Sequence, residues 1–381
     1  MPTDVIVIGA GIVGAACADA LSARGLRVTV IEQDTVGSGA TAAGMGHLVV
    51  MDDSPAELAL SAYSISLWNQ LVADHPQRHE YSRCGTIWVA ADEEELAAAR
   101  VKAETMAAHG LACQMLSPAQ LYQREPQLRA GLAGGLLVQG DGLVYPPKSA
   151  RILLDRALAQ GARLRAGGVT ALEDNGVRLQ DGSQLQATHV VLAAGSRSTA
   201  LLPQLPVQPK KGHVAITDRY PGFIRHQLVE LGYIKSAHAT SGDSVAFNLQ
   251  PRPTGQILIG SSRQFGSTDL AVENAMMTRM LRHAASFTPA LAQLNLLRCW
   301  TGLRAASPDG LPLIGPGAAR RGLWLATGHE GLGITTSLAT AQLLAGQIMN
   351  EATAIPFAPY LPDRFDIAPA AAHRGMEATH E

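Results

Sequence analysis

Asp4-Val5-Ile6-Val7-Ile8-Gly9-Ala10-Gly11-Ile12-Val13-Gly14 stands almost at the start of the chain. Residues 4–8 are a short apolar run, the pattern of a strand buried on both faces of a parallel sheet. Gly9, Gly11 and Gly14 follow at GxGxxG spacing, and an Ala-rich stretch then reads as a helix to about Arg24-Gly25, where Gly ends it. Arg27-Val28-Thr29-Val30-Ile31-Glu32 reads as a second strand. Together they make a βαβ unit of about 30 residues. In such a unit the first Gly makes the turn, the second lets backbone approach a pyrophosphate, and the third lets helix and strand pack closely. Glu32, 18 positions beyond Gly14, is placed to accept from a ribose hydroxyl.

The rest of the chain bounds this reading. It has 381 residues, enough for two domains and possibly three. Lys+Arg 30 against Asp+Glu 32 leaves a net charge of −2, which speaks against a polyanion partner. With 47% hydrophobic and 16% charged residues the bulk is not disordered, and no apolar run reaches the ~18 residues of a membrane span. The four cysteines lie far apart without a CxxC, so a metal or iron–sulfur site built from cysteine is not expected. No charged and apolar leader precedes residue 4, giving the expectation of a cytoplasmic, thiol-reducing compartment.

Further along, residues 33–53 read as a small-residue loop held near a ligand, and 55–74 as a helix. Residues 84–91 read as a strand, 92–109 as an exposed helix, and 149–160 as an amphipathic helix. Val169–Leu179 alternates as strands do, and His189–Gly195 repeats the buried run ending at Gly. Runs at 213–217, 245–249 and 256–260 are strand-like, 272–286 and 334–349 helical, and the last ~20 residues frayed. The strands at 84–91 and 213–260 look antiparallel, the others parallel. The fold expected is α/β: a discontinuous Rossmann-like domain (1–80, 145–205, 296–350), an inserted substrate domain on a mixed or antiparallel sheet (81–144, 206–295), and a tail (351–381).

Only one dinucleotide fingerprint is present, so a second βαβ site for a nicotinamide partner is lacking. The strand ending at Gly195 and the loop Gly328-His329-Glu330-Gly331-Leu332-Gly333 return to the site from far along the chain. A large cofactor spanning both ends, FAD, explains this best. The helix starting near Ile334 would present free N–H groups and positive potential to a reduced flavin. Ser38–His47 is rich in small residues, as backbone lying against a flat ring or a phosphate requires. Arg304 sits among Gly, Leu and Ala; buried there it needs an anion, either a substrate carboxylate held by two points or an acid of the protein.

In this order, Gly9–Gly14, Glu32, Ala43-Gly44-Met45, Leu192-Ala193-Ala194-Gly195, Trp300-Thr301-Gly302-Leu303-Arg304, Pro308-Asp309-Gly310 and Gly328-His329 resemble the D-amino-acid oxidase-like flavoproteins over about residues 4–350. The branch is that of glycine oxidase, sarcosine oxidase and D-amino-acid dehydrogenase. Three segments, Gly44–Asp53, Lys210–His213 and His226–Tyr233, resemble more narrowly the FAD-bearing beta chain of hetero-oligomeric D-hydroxyproline dehydrogenases and of opine oxidases.

The resemblance implies oxidation of a C–N bond beside a carboxylate by hydride transfer to flavin N5. Arg304 would clamp the carboxylate. Asn248 takes the place of a substrate-contacting Tyr, and Gly331 that of a second substrate-facing Arg, which puts glycine as substrate in doubt. His47 is the candidate to receive the amine proton, with solvent water as rival; an unperturbed imidazole titrates near ~6.5. The cofactor set implied is Gly9, Gly11, Ile12, Val13, Gly14, Glu32, Gln33, Ala40, Thr41, Ala43, Gly44, Met45, Val169, Ala194, Gly195, Gly302, His329, Glu330, Gly331, Leu332, Gly333, Ile334 and Thr335. Cys299 falls near the flavin-bonding Cys of sarcosine oxidases, but the following G-L-R differs, so FAD is expected to be non-covalent. Partner subunits of a hetero-oligomeric dehydrogenase are expected, an oxygen-using glycine, sarcosine or opine oxidase is the alternative, and a non-catalytic FAD relay a further one.

Overall fold

A computed structural model describes residues 3–232 and 242–367. The opening strand, Thr3–Ile8, lies at the centre of an eight-stranded sheet, parallel to Val28–Glu32 on one side and to Gln184–Leu192 on the other. Arg163–Ala166 and Leu323–Thr327 extend the parallel set outward, and Leu313–Pro316 closes one edge antiparallel. All these strands run the same way except the last, so their C-terminal ends, where ligands of such sheets bind, fall on one edge. The helix Ile12–Ser22 packs between Gly333–Met349 and Pro146–Ala159, burying an almost continuous Ala face. Pro55–Val72 covers Gly333–Met349 in turn.

A second sheet of nine strands runs in the order His329–Glu330, Leu296–Ala306, Gln208–Thr217, Ile257–Phe265, Ser244–Pro251, Gln227–Glu230, Thr86–Ala90, Gly134–Val138, Cys113–Leu116. One face is covered by the helix Asn274–Phe287, whose Phe287 stacks on Phe247 at 4.5 Å. Burying each such side chain is worth about 1.5–3 kcal/mol. The other face looks toward the first sheet.

Several sequence expectations need correction. The second sheet is mixed, within the expected mixed or antiparallel arrangement, but the strand read at 84–91 as antiparallel pairs parallel, Thr86–Ala90 with Gln227–Glu230. Residues 33–53 are not one loop, since they hold the one-turn helix Ala40–Ala43 and the strand His47–Leu48, which pairs with Gly142–Leu143. The helix placed at 149 starts at Pro146, because Pro fits a helix's first turn. Of the tail, residues up to 367 are ordered, with Arg364 bonded to Asp309 at 2.7 Å; residues 368–381, and Tyr233 of the narrower resemblance, lie outside the described residues.

Candidate functional site

At the edge of the first sheet the fingerprint glycines divide by role. Gly9 has φ +101°, and a Cβ there would lie 2.7 Å from the Ala193 carbonyl oxygen; a Cβ on Gly14 would lie 2.0 Å from that of Gly9. Both are glycine so that strand and helix can touch. Gly11 is different. Its φ is an ordinary −65°, and a Cβ would meet only the Thr41 hydroxyl, at 3.2 Å. The space in front of it is open, as a phosphate approaching the backbone requires. The Ile12 amide donates to the same Thr41 hydroxyl at 3.0 Å. Glu32 accepts from the Ala10 and Asp34 amides at 2.6 and 2.9 Å, so its carboxylate is held at the turn. Ala194 and Gly195 follow the neighbouring strand, no atom of another segment lies within 4 Å of a Cβ on Gly195, and Gln33 and Val169 adjoin through Gly168. Val13 stands 3.9 Å from the position of a Cβ on Gly333, bringing the two ends of the chain together.

Beyond this edge, between the sheets, lies a cavity of about 670 Å³. The segment 40–47 forms one of its walls. That segment is clasped tightly: a Cβ on Gly302 would be 2.4 Å from Ala43 Cβ, and one on Gly44 2.7 Å from Ile334 Cδ1. Trp300 Nε1 donates to the Ala43 carbonyl at 3.1 Å and Thr335 Oγ1 to that of His47 at 2.9 Å. Trp68, fully buried, donates to the Ile334 and Thr335 carbonyls and so anchors the helix N-terminus. The first amides of that helix have no partner within it. Ala40, Ala43, Gly44, Met45, His47, Asn248, Gly302, Arg304, Glu330, Gly331, Leu332 and Ile334 all line this one cavity.

The second sheet supplies the floor. Alternate residues of adjacent strands face the cavity: Lys210, Gly212 and Val214; Ser261, Arg263 and Phe265; Gly302 and Arg304; then Asn248, Val229 and Trp88 in one transverse row. Lys210 pairs directly with Arg304, and Gly212 with Gly302. The Arg304 guanidinium lies on Gly212, where a Cβ would be 2.5–2.8 Å away, and Nη1 donates to the Ser262 carbonyl at 3.0 Å. Glu330, at φ +49°, sits beside it, with Oε1 3.7 Å from Lys210 Nζ and 3.8 Å from Arg263 Nε. Burial pushes the Glu330 carboxyl up, but Arg263, Arg304 and Lys210 outweigh burial and hold it below its ordinary value. It is therefore ionised in a cationic wall.

Burial pushes His47 down to about 4 against weak support from Asn248 and Gln227 beside its ring, so it is neutral at pH 7. Its Nε2, Asn248 Oδ1, Trp88 Nε1 and Glu330 Oε1 are buried without hydrogen-bond partners among the described residues. Opposite stand Asp53 and Glu57, the latter pushed up to about 7 by burial and by the Asp53 charge. His329 turns its ring away, to Thr340 Oγ1 at 3.0 Å, and burial brings it to about 4; its side chain braces the last helix. Cys299 packs against the Phe247 core on the reverse face of the sheet. Sequence reasoning missed Trp88, Lys210 and Arg263. The signal was available in the two-residue alternation of strands placed beside Arg304.

A family model described as FAD dependent oxidoreductase matches residues 4–347. The chain is 30% identical to a glycine oxidase of Pseudomonas aeruginosa, over 95% of this chain and 99% of that one. It is 29% identical, over 97% of both chains, to a hydrogen cyanide synthase subunit of the same organism. Among solved structures, the glycine oxidase of Geobacillus kaustophilus superimposes with a TM-score of 0.85 at 28% identity, covering 96% of this chain and 99% of that one. A Gly11 whose Cβ position meets nothing but the Thr41 hydroxyl, the Glu32 carboxylate at the turn and a helix N-terminus facing a walled cavity fit the same group. The chain belongs to the FAD-dependent oxidoreductase family of the D-amino-acid oxidase type, and FAD is its cofactor.

Proposed function

We propose that the protein oxidises the C–N bond of an amino or imino acid, D-hydroxyproline or a similar D-amino acid, as the catalytic chain of a hetero-oligomeric dehydrogenase. The observation that carries this is Arg304: a cationic fork seated on Gly212 at the cavity wall, whose one hydrogen-bond partner is a backbone carbonyl and whose neighbouring acid, Glu330, lies closest to Lys210 and Arg263 and makes no ion pair within 4 Å of it among the described residues. An arginine serving only the fold would be paired with an acid of the protein. Here its remaining donors suit a substrate carboxylate.

The turn packed by Gly9 and Gly14, with Gly11 at its open side and Glu32 beside it, would hold the pyrophosphate and ribose, and the 40–47 segment with Gly302 and Ile334 the ring system. Bound FAD supplies the hydride acceptor. Fixing the carboxylate on Arg304 selects which α-hydrogen faces the ring, and such positioning can supply ~7–11 kcal/mol of a barrier. The amine must lose its proton first. His47, pushed down to about 4, is a poor proton acceptor and serves as a hydrogen-bonding wall with Asn248. The charges of Arg304, Arg263 and Lys210 disfavour an ammonium nearby, which lets water carry the proton away.

A second reading, an opine-type substrate with a second carboxylate, is favoured by the same wall: three cations border one carboxylate, Glu330. The relative named as a hydrogen cyanide synthase subunit supports assembly with partner chains. Anaerobic mixing with D-hydroxyproline, D-proline, glycine, sarcosine and an N-(carboxyalkyl) amino acid tests both readings. Bleaching of the flavin by a cyclic D-amino acid is the expected result, and bleaching by none of them overturns the proposal.

A further inference from the structure

We propose that His213 and Ser262, on the sheet face turned away from the cavity, position Arg304 for carboxylate binding, with Lys211 and Glu273 fixing His213; this rests on the reading of Arg304 as the carboxylate clamp. The motif Lys210-Lys211-Gly212-His213 alternates across the strand. Lys210 and Gly212 face the cavity, while Lys211 and His213 are wholly buried on the other side. The His213 ring receives the Glu273 amide on Nε2 at 3.0 Å. A ring nitrogen accepting from an amide carries no hydrogen, so the neutral ring's proton is on Nδ1. Nδ1 lies 3.0 Å from Ser262 Oγ and donates to it, and the His213 amide donates to the same oxygen at 2.9 Å. Two hydrogen bonds from one residue thus pin Ser262, whose carbonyl receives Arg304 Nη1 at 3.0 Å.

Glu273 is itself held. Its carboxylate takes Lys211 Nζ and Gln264 Nε2, each at 2.9 Å, and Lys211 also binds Asp269 at 2.9 Å. A lysine with no exposed surface is retained at a desolvation cost unless it is paired in this way. Sheet stability alone would be served by apolar residues here; a chain of polar groups ending on the clamp's own acceptor serves its orientation.

The test uses the FAD-loaded protein and pyrrole-2-carboxylate, which has a carboxylate but no hydrogen on the α-carbon, with binding read from the flavin absorption. Ser262→Ala and His213→Leu should weaken binding about five- to tenfold, the effect of a lost neutral hydrogen bond. KM of the best substrate should rise alike, with kcat within about twofold. His213→Asn, which keeps a donor near Nδ1, should restore binding. Adding Ser262→Ala to Arg304→Ala should cause no further loss. Unchanged binding in Ser262→Ala, or a full additional loss in the double variant, overturns the inference. Failure of the parent protein to bind the probe, or equal binding by Arg304→Ala, overturns the clamp reading instead.

Discussion

Gly212→Ala should disable the proposed carboxylate clamp without unfolding the protein. The Cβ would stand 2.5 Å from Arg304 Nη1 and 2.8 Å from Cζ and Nη2, against 3.4 Å for ordinary contact. The guanidinium must therefore retreat by roughly 0.6–0.9 Å, where 1 Å of misplacement is enough to matter for a bound reactant. The backbone of Gly212 is not in the left-handed region, and the displaced atoms are the end of a flexible side chain, so the fold should lose little. One charge-assisted hydrogen bond to the substrate is worth about 1.5–3 kcal/mol, so kcat/KM should fall about 10- to 150-fold, mostly through KM. Steady-state kinetics with an artificial electron acceptor measure this, alongside the FAD-to-protein ratio and Tm as controls. A variant with full FAD, wild-type Tm and kcat/KM within twofold of the parent would refute the placement of Arg304 at the substrate.

Other outcomes follow from the same geometry. Arg304→Lys keeps the charge but loses the fork and should lower kcat/KM by at least ~10²-fold with FAD still bound; near-normal turnover returns Arg304 to a structural role. Gly11→Val projects into the open space before the first helix and should yield a folded but colourless protein; a yellow one with full FAD shows that space to be unused. The isolated chain should turn over faster with a dye than with oxygen, and matched rates make it a plain oxidase. Asp141 is wholly buried and its carboxyl is pushed up to about 7, chiefly by burial. Its folded pKa lies above the unfolded value near ~3.9, so it costs stability increasingly as pH rises from about 4 to 7 and fully above. Asp141→Asn should gain more Tm over the parent at pH 8 than at pH 5; the same offset at both shows that Asp141 ionises without penalty.

What the sequence made legible was what short-range chemistry dictates. The opening βαβ unit could be read because three glycines, an apolar run and an acid each answer to a local requirement, and the structure keeps all of them in register. Arg304 could be singled out because an arginine among Gly, Leu and Ala stands out, and the structure places it on the cavity wall. The parallel pairing of Gln227–Glu230 with Thr86–Ala90 could not be read, since a strand buried along its whole length carries no sign of its direction. Ala40–Ala43 is too short to be a helix by itself and forms only between Gly302, Ile334 and Trp300. Lys210 and Arg263 stayed hidden because their meaning comes from a register joining strands some 40 to 90 residues apart in sequence.

That register would also let one sheet serve two ligands at once. Gly212 and Gly302 are opposite each other on adjacent strands, which leaves a strip of floor without side chains. Ala43 settles over Gly302 and the Arg304 guanidinium over Gly212, each closer than any Cβ would allow. The segment that would border the flavin and the fork that would border the substrate thus sit side by side on two glycines paired across adjacent strands. Their relative position is set by backbone, which moves little, and not by two independent side chains. Hydride transfer depends steeply on the distance between donor and acceptor carbon and nitrogen, so a common rigid seat is where a site of this kind gains most from glycine. The cationic wall then needs only to orient what the seat has already placed.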